Sequence, residues 1–211
     1  NLLCLIEAHS EHSHSAECYH EERLYNCGLT ETEILPATGS DLPVACPSEA
    51  FSDLDTNSWY HEGVDFVLLN GLMNGMSSKE FAPEGKLTRA QLVTILYRMT
   101  GNPSVEGLKN PFTDVPGGTW YTDAVIWAYN AEVVNGVSET AFAPNANITR
   151  EQLVAVLYRF YGEPEANTLV LADYADANTI SDYAVNAMAW AVENGIVNGL
   201  TETTLAPRGT A

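Results

Sequence analysis

The feature that most constrains the fold of this chain is an internal repeat. The first copy opens with F-S-D-L at residues 51–54, and the second opens with F-T-D-V at residues 112–115, 61 positions later. In both copies a Trp-Tyr pair, an Asn-Gly pair, a Pro and an Arg follow at equal offsets, and a third copy begins with Y-A-D at residues 174–176. Repeats of this kind form one supersecondary unit each and bury their apolar faces against their neighbours.

Two nearly identical stretches close the first two copies, L-T-R-A-Q-L at residues 87–92 and I-T-R-E-Q-L at residues 148–153. The apolar residues that begin here and continue to Met99 and Phe160 fall at helical spacing, which predicts two amphipathic helices. In each stretch a Thr and the Gln three residues later form a capping box, Thr88 with Gln91 and Thr149 with Gln152. These side chains satisfy free backbone amides, so each helix is expected to begin at its Thr.

An earlier helix is also predicted in each copy, so that every copy has the order helix, loop, helix. The first helix of copy two runs from Tyr121 to about Val134 and that of copy three from Tyr183 to Asn194, each with a broad apolar face. The Asn-Gly pairs are expected to end these helices, because both residues tolerate the left-handed conformation of a C-terminal cap.

Arg89 and Arg150 occupy the first position of the two capped helices. A cation at this end opposes the helix dipole by roughly 0.3–1 kcal/mol. Because an Arg recurs at this position in both copies, it indicates a role other than helix stability. A helix N-terminus beside an Arg can bind a carboxylate or a phosphate. A buried structural ion pair or a solvated side chain is the alternative. Arg98 and Arg159, near the ends of the same helices, complement the dipole and are interpreted as structural.

The charge of the chain excludes several classes of partner. The net charge is −19, from 9 Lys and Arg against 28 Asp and Glu. This predicts no nucleic-acid binding, which needs a basic field, and requires that an anionic partner be held by a few placed cations. No apolar run approaches the length of a membrane span, so no membrane insertion is expected. The first residue is Asn, and the third copy stops two positions before its expected Arg. Both ends are therefore expected to be cut from a longer chain.

Residues 1–33 form a segment of different character, and residues 34–50 are interpreted as a linker rich in Pro. All four Cys lie within the first 46 residues, together with four of the five His. One interpretation is a structural zinc site, since thiolate and imidazole are ligands that zinc prefers; its ligands would be Cys4, His12, His14 and Cys18. Disulfides Cys4–Cys18 and Cys27–Cys46 are an alternative, as are free thiols. The segment resembles the Cys/His segments found near repeats of surface proteins in Gram-positive bacteria.

The repeat itself resembles the S-layer homology domain. The motifs that carry the resemblance are F-x-D-[LV], W-Y, N-G-[MV], F-A-P and [LI]-T-R-[AE]-Q-L, and they cover residues 51–211. The resemblance implies a mainly all-α fold, a pseudo-threefold helical bundle of tandem helix-loop-helix repeats at residues 51–111, 112–172 and 173–211, the third truncated. It also implies a secreted cell-surface module that binds secondary cell-wall polysaccharide, often bearing pyruvate ketals, and so anchors exported proteins to the wall without a covalent bond.

The resemblance assigns candidate residues for binding the polysaccharide. Arginines would contact the anionic sugar, aspartates would orient the grooves, aromatic rings would pack on sugars and glycines would permit close approach of the backbone: Arg89 and Arg150; Asp53, Asp114 and Asp176; Trp59, Trp120 and Tyr183; Gly75, Gly136 and Gly199. From the residues alone, the aspartates could instead cap helices, the aromatic rings could belong to the core, and the glycines could cap helices.

Truncation of copy three is expected to leave apolar residues uncovered, namely Ala187, Met188, Ala191 and Val192. The favoured function is non-catalytic anchoring, with no cofactor other than the zinc discussed above. The alternatives are a structural surface-layer module that self-associates, and the anchoring part of a larger enzyme acting on glycans. No pair of carboxylates is distinguished as an acid and a base, so no enzymatic activity is expected of this chain.

Overall fold

The computed structural model describes residues 46–211, and in this range the fold is helical. Five α-helices occur in the order α1 (His61–Leu69), α2 (Arg89–Met99), α3 (Thr122–Asn130), α4 (Arg150–Phe160) and α5 (Val185–Glu193). The only β-pairing among these residues consists of three isolated bridges. The expectation of a mainly all-α fold is confirmed. None of the described helices has the length and apolar character needed to cross a membrane.

The capped helices begin where the sequence predicts. Thr88 and Thr149 are the N-cap residues of α2 and α4, and in both helices the two hydrogen bonds of the capping box with Gln91 and Gln152 are present. The first helices of the copies are shorter than expected, because α3 ends at Asn130 and α5 at Glu193. The prediction that the Asn-Gly pairs end these helices is wrong. The left-handed residues just beyond the helix ends are Gly71, Glu132 and Gly195.

A ring of three hydrogen bonds marks the pseudo-threefold axis. Leu87, Ile148 and Ala211 occupy the same position in the three copies, four residues after the Pro of F-A-P or its counterpart. The amide of Ile148 donates to the carbonyl oxygen of Leu87 at 2.9 Å, Ala211 to Ile148 at 3.0 Å, and Leu87 to Ala211 at 3.1 Å. Each copy therefore contacts both others through one donor and one acceptor, which gives the bundle its threefold relation.

Neighbouring copies are joined by packing of the second helix of one copy on the first helix of the next. Thus α2 packs on α3, and α4 packs on α5. One core cluster surrounds α2 and α3 and includes Phe112 and Phe142, whereas the other surrounds α4 and α5 and includes Met188 and Leu205.

This order of packing corrects the expectation about the truncated copy. Ala187, Met188 and Ala191 are fully buried, because α4 and a 3₁₀-helix at Thr168–Asp173 cover α5. Apolar residues of α1 are exposed instead, since Phe66 is 48% and Leu69 is 66% exposed. Among the described residues no T-R helix precedes α1, so none packs on it.

Residues 46–50 belong to the folded repeats and not to the predicted linker. Pro47–Ala50 forms a 3₁₀-helix that packs on α1. Cys46 carries a free thiol among the described residues, and the disulfide alternative Cys27–Cys46 stays a prediction because Cys27 lies outside them. The other predicted features of the N-terminal segment, including the zinc ligands Cys4, His12, His14 and Cys18, lie outside the described residues.

Candidate functional site

The two predicted arginines link successive copies of the repeat. The Nε group of Arg89 donates to the carbonyl oxygen of Phe142 at 2.8 Å, and Nη2 donates to that of Asn135 at 2.9 Å. Its guanidinium carbon lies 4.6 Å from the centre of the Phe142 ring. Arg150 repeats the arrangement in copy three, with Leu205 and Asn198 as acceptors. Each arginine therefore holds the F-A-P or L-A-P loop and the Asn-Gly turn of the following copy against its own helix.

The N-termini of α2 and α4 are closed by the same loops. The amide of Arg89 donates to Ala146, and that of Ala90 to Pro144, both at 3.0 Å; in α4 the equivalent amides donate to Gly209 and Pro207. These helix ends have no free amides for an anion, so the helix-terminus part of the receptor hypothesis is wrong. Contact of Arg89 or Arg150 with a ligand remains a prediction, and it would use the Nη1 groups.

The three aspartates hold a strained loop within their own copies. The carboxylate of Asp114 accepts hydrogen bonds from the amides of Phe142 at 2.8 Å and Ala143 at 2.7 Å. Asp53 and Asp176 make the same pairs of bonds to the loops at residues 81–82 and 205–206. The Ala in each loop has positive φ, 57° at Ala143, which costs an L-residue about 1–2 kcal/mol. The aspartates do not cap helices, and a contact with ligand remains a prediction.

The environment of Asp114 favours its charged form. Burial opposes ionisation, but the amides of Phe142 and Ala143 and the nearby Arg89 lower the pKa of the carboxyl below its ordinary value. Asp176 has the same environment with Arg150, and the amides of Phe81 and Ala82 lower the pKa of Asp53. Burial lowers the pKa of Arg89, and Tyr183 and Asp114 oppose this effect.

The glycines of the Asn-Gly pairs are required by the backbone of their own copies. A Cβ atom added at Gly136 would lie 2.2 Å from the carbonyl oxygen of Ser138 and 2.6 Å from a ring carbon of Phe112. Gly199 and Gly75 are equally crowded, by Thr201 and Tyr174 and by Phe51 and Glu80. These contacts explain the glycines without a ligand, and their predicted role in ligand approach remains untested.

The aromatic residue after each opening motif is a surface residue. Trp59 is 93% exposed, Trp120 60% and Tyr183 53%, so the alternative that these rings belong to the core is wrong. Trp120 packs edge-on against Tyr121, with ring centres 5.1 Å apart, and Trp59 packs in the same way against Tyr60. Each ring thus leaves a face open to solvent.

Tyr183 lies between copies two and three, close to one negatively charged side chain and two positively charged ones. The buried carboxylate of Glu151, on α4, accepts hydrogen bonds from the amide and hydroxyl of Ser181 at 2.9 and 3.0 Å and faces the Tyr183 hydroxyl at 3.4 Å. Burial and Glu151 raise the pKa of the tyrosine, while the charges of Arg159 and Arg89 oppose the rise. The open ring of Tyr183 therefore lies near two arginines from the preceding copies.

A concave surface beside Tyr183 contains Arg159, for which the sequence predicts a structural role near the end of its helix. Arg159 lines a cavity of about 130 Å³ together with residues of α4, the turn after α4, the turn before α5 and α5: Ala155, Tyr158, Glu163, Asp182, Tyr183, Asn186 and Ala187. It also borders a shallower depression of about 510 Å³, with Tyr129, Asn130, Glu132 and Asn135. We call the surface formed by Arg159, Tyr183, Asp182, Asn186 and Glu163 the copy-two/three groove.

Arg159 differs from its counterpart in copy one. Arg98 donates from Nη1 to the carbonyl oxygen of Leu72 at 2.8 Å, as a structural residue would. The side chain of Arg159 makes no hydrogen bond or ion pair with any residue in the range 46–211, so its guanidinium is available. Both arginines occur in the same Leu-Tyr-Arg context. No sequence signal separates them, so the open guanidinium of Arg159 could not be predicted from the sequence.

Comparison with known protein families gives three matches along the repeats. The model of the S-layer homology domain matches residues 50–93, 111–154 and 173–211. Similar proteins include the amylopullulanase of Thermoanaerobacterium thermosulfurigenes, 31% identical over 77% of this chain and 9% of that protein. A surface-layer 125 kDa protein of Lysinibacillus sphaericus is 31% identical over 75% of this chain and 13% of its own length. An S-layer protein of Bacillus thuringiensis subsp. finitimus is 26% identical over 80% and 20%.

Proposed function

Because the chain belongs to the S-layer homology domain family, we propose that it anchors an exported protein to the cell wall without a covalent bond. Its ligand in this proposal is an anionic secondary cell-wall polysaccharide that bears pyruvate ketals. The family and the surface-layer proteins among its relatives make the chain a cell-surface protein. The matched region covers only 9% of the amylopullulanase, so this similarity assigns no catalytic activity to the chain.

The observation that carries the ligand class is the composition of the copy-two/three groove. Arg159 offers a guanidinium with no partner among residues 46–211, and a guanidinium binds a carboxylate through paired charged hydrogen bonds. Asp182 and Glu163 line the same cavity and can accept hydrogen bonds from sugar hydroxyl groups. The exposed ring of Tyr183 offers an apolar face to a sugar ring. One carboxylate on an otherwise neutral sugar satisfies all of these groups.

The strongly acidic chain favours such a placed contact over a general attraction. With a net charge of −19, the protein repels a polyanion except where a local cation faces it. The carboxylates beside Arg159 sharpen this effect, because they repel any second negative charge on the ligand. A sparsely charged, ketal-bearing polysaccharide therefore fits the groove better than a densely charged phosphate polymer.

The proposal is tested by sedimentation of the full chain with purified cell walls. Walls that retain their secondary polysaccharide should carry the protein into the pellet, and walls from which that polymer has been extracted should not. Equal recovery with both preparations, or none with either, would contradict the proposal. The walls of a Gram-positive relative that carries S-layer proteins are the natural material.

Self-association is a second candidate function, and the surface of α1 favours it. Trp59, Phe66 and Leu69 are exposed on or beside this helix, which lacks the packed neighbour that α3 and α5 have within residues 46–211. Sedimentation velocity at increasing concentration, without polysaccharide, tests it. A concentration-dependent rise that Leu69→Glu removes would support association, and a constant monomer value would exclude it. The chain could equally be the anchoring part of a larger glycan-active enzyme, as the matched amylopullulanase suggests.

A further inference from the structure

A cluster of three metal-ligating side chains lies at the start of copy one, away from the copy-two/three groove. Cys46 immediately precedes the 3₁₀-helix Pro47–Ala50, and His61 and Asp65 lie one turn apart on α1. Cys46 Sγ lies 3.0 Å from His61 Nε2 and 3.2 Å from Asp65 Oδ2, and the latter two atoms are 3.1 Å apart. The three ligand atoms therefore form a compact triangle.

The geometry of this triangle is that of a chelating site and not of a proton relay. In a relay, one ring nitrogen of the His faces the nucleophile and the other faces the carboxylate. Here the same atom, Nε2 of His61, faces both the thiol and the carboxylate. One atom from each residue thus points to a common centre, as in the first coordination shell of a metal ion.

The two oxygens of Asp65 differ in their contacts, although the Cys46 thiol lies near both, 3.5 Å from Oδ1 and 3.2 Å from Oδ2. Oδ1 accepts a hydrogen bond from the amide of Ser48 at 3.0 Å, which fixes the 3₁₀-helix against α1. Oδ2 is the oxygen nearest to both His61 and the thiol. The structural bond therefore orients the carboxylate and leaves Oδ2 for a metal ion, an arrangement in which an outer contact positions a ligand.

The repeat fold does not require these residues. His61 is the first residue of α1, and the first residues of the corresponding helices are Thr122 in α3 and Val185 in α5. Four positions later, Asp65 corresponds to Ile126 and Ala189. The same helices form in copies two and three without an ionisable pair, so the pair in copy one has a role that the fold alone does not explain.

We infer that Cys46, His61 and Asp65 bind a zinc ion. Thiolate, imidazole and carboxylate are its usual protein ligands, at about 2.3 Å for sulfur and about 2.0–2.2 Å for nitrogen and oxygen. Tetrahedral angles at these lengths separate ligand atoms by about 3.3–3.7 Å. The triangle needs to open by only a few tenths of an ångström, which rotations of the three side chains supply. A thiolate and a carboxylate together balance the two charges of the ion.

The fourth ligand in this site is a water molecule. The His61 and Asp65 side chains are 21% and 10% exposed, so the cluster lies just below the surface with one side reachable from solvent. The ion would tie Cys46, at the start of the 3₁₀-helix Pro47–Ala50, to α1. No T-R helix packs on α1 within residues 46–211. Zinc should therefore stabilise copy one in particular. This inference does not depend on the proposed wall binding.

The test uses the full chain, freed of metal and kept reduced, with Cys4→Ser and Cys18→Ser introduced to remove the other predicted thiolate ligands. Zinc binding is measured by competition with a chromophoric chelator, and cobalt serves as a spectroscopic probe of thiolate coordination. The double variant should bind one zinc ion per chain and gain thermal stability, because the ion binds the folded state. Adding His61→Thr, the residue found at position 122 in copy two, should weaken binding by about tenfold or more and remove the gain in stability.

Three controls make the outcome decisive. Asp65→Asn should also weaken zinc binding, whereas Asp123→Asn, at an exposed position of α3, should not. Circular dichroism without metal confirms that each variant is folded. Zinc affinity that is unchanged by His61→Thr and Asp65→Asn would overturn the inference, as would a double variant that binds no zinc. A Cys27–Cys46 disulfide in the purified protein, detected by peptide mapping without reductant, would overturn it too.

Discussion

The guanidinium of Arg89 donates from Nε to the carbonyl oxygen of Phe142, 2.8 Å away in the next copy of the repeat. The bond explains why a cation recurs at a helix end where the dipole disfavours it. Its partner belongs to a loop 53 residues further along the chain, and the loss to the dipole is offset by charged hydrogen bonds to backbone. The T-R motif therefore serves mainly to connect successive copies through hydrogen bonds from its Arg side chain.

Replacing Arg89 should destabilise the protein, because it removes these hydrogen bonds between copies. In Arg89→Gln the buried carbonyl of Phe142 loses its charged donor, and the free energy of unfolding should fall by about 2–4 kcal/mol. Arg150→Gln should cost less, since Arg150 is only partly buried whereas Arg89 is buried. Urea unfolding measures both. Arg208→Gln, an exposed control with the same charge change, should stay within about 0.5 kcal/mol of the parent. An equal effect of Arg89→Gln and Arg208→Gln would contradict the assignment.

Stability should fall in acid because of the aspartates that hold the F-A-P loops. The pKa of Asp114 is lower in the folded protein than in the unfolded chain, so between the two values the unfolded chain binds more protons. The contribution is fully present above the unfolded value of about 3.9 and is lost as the pH falls through the folded pKa. Urea unfolding across this range should show the decline.

Asp114→Asn tests the source of the acid effect. Asn presents one acceptor oxygen, and its amide nitrogen would face a backbone N–H, so the variant should be less stable at neutral pH. Its stability should also decline less steeply in acid, because one titrating group is gone. Asp55→Asn, an exposed control in copy one, should keep the steep decline. If the stability of Asp114→Asn depended on pH as that of the parent does, the contacts of Asp114 with the loop would not be the source of the acid effect.

Two glycine substitutions should have opposite effects. Gly136→Ala places a methyl group against the backbone oxygens of Ser138 and Ala141 and should destabilise the protein by about 1–3 kcal/mol or more. Gly63→Ala lies in α1 with nothing within 4 Å of the added carbon, and it should stabilise the helix by about 0.5–1 kcal/mol. Thermal unfolding of the two variants provides the comparison. An unchanged melting temperature for Gly136→Ala would show that the backbone around Gly136 has room for a Cβ atom, which would contradict this explanation of the glycine.

An aromatic face should contribute to ligand binding without contributing to stability. Tyr183→Ala removes a ring that is 53% exposed, so wall binding should weaken while the melting temperature changes little. Leu169→Ala, at a position that is 79% exposed in the 3₁₀-helix Thr168–Asp173, is the control that removes apolar surface elsewhere. Sedimentation with polysaccharide-bearing walls and thermal unfolding measure the two effects. Equal wall binding by the two variants would remove Tyr183 from the site.

The sequence predicted those features of the fold that depend on local chemistry or on equal spacing. The capping boxes at Thr88 and Thr149 fixed the starts of α2 and α4, because the hydroxyl and the amide act within one turn. The equal offsets predicted three copies of one unit, and the resemblance to the S-layer homology domain implied the threefold relation that the hydrogen-bonded ring through Leu87, Ile148 and Ala211 displays. The C-terminal ends of the first helix in each copy were predicted less well. The Asn-Gly pairs lie in a turn after the helix end, where the backbone leaves no room for a Cβ atom at the glycine.

The hydrogen-bond partners of the polar side chains could not be predicted from the sequence. Asp114 bonds to amides 28 and 29 residues away, and Arg89 reaches the next copy, so both roles depend on how loops are stacked in space. The open guanidinium of Arg159 has an identical local context in copy one, where its counterpart is bonded. By contrast, the His61 and Asp65 pair at helical spacing was visible in the sequence. Its contact with Cys46, which lies 15 residues before His61, depends on the fold.

The most direct test of the account is the affinity of the full chain for pyruvylated wall polysaccharide, compared with the same polymer after its ketals have been removed. Removal should weaken binding by about tenfold or more, the equivalent of one charged hydrogen-bonded contact. Arg159→Gln should cause a similar loss on the intact polymer, and Arg208→Gln should cause none. Equal affinity for the two polymers, or an Arg159→Gln variant that binds as tightly as the parent, would contradict the account.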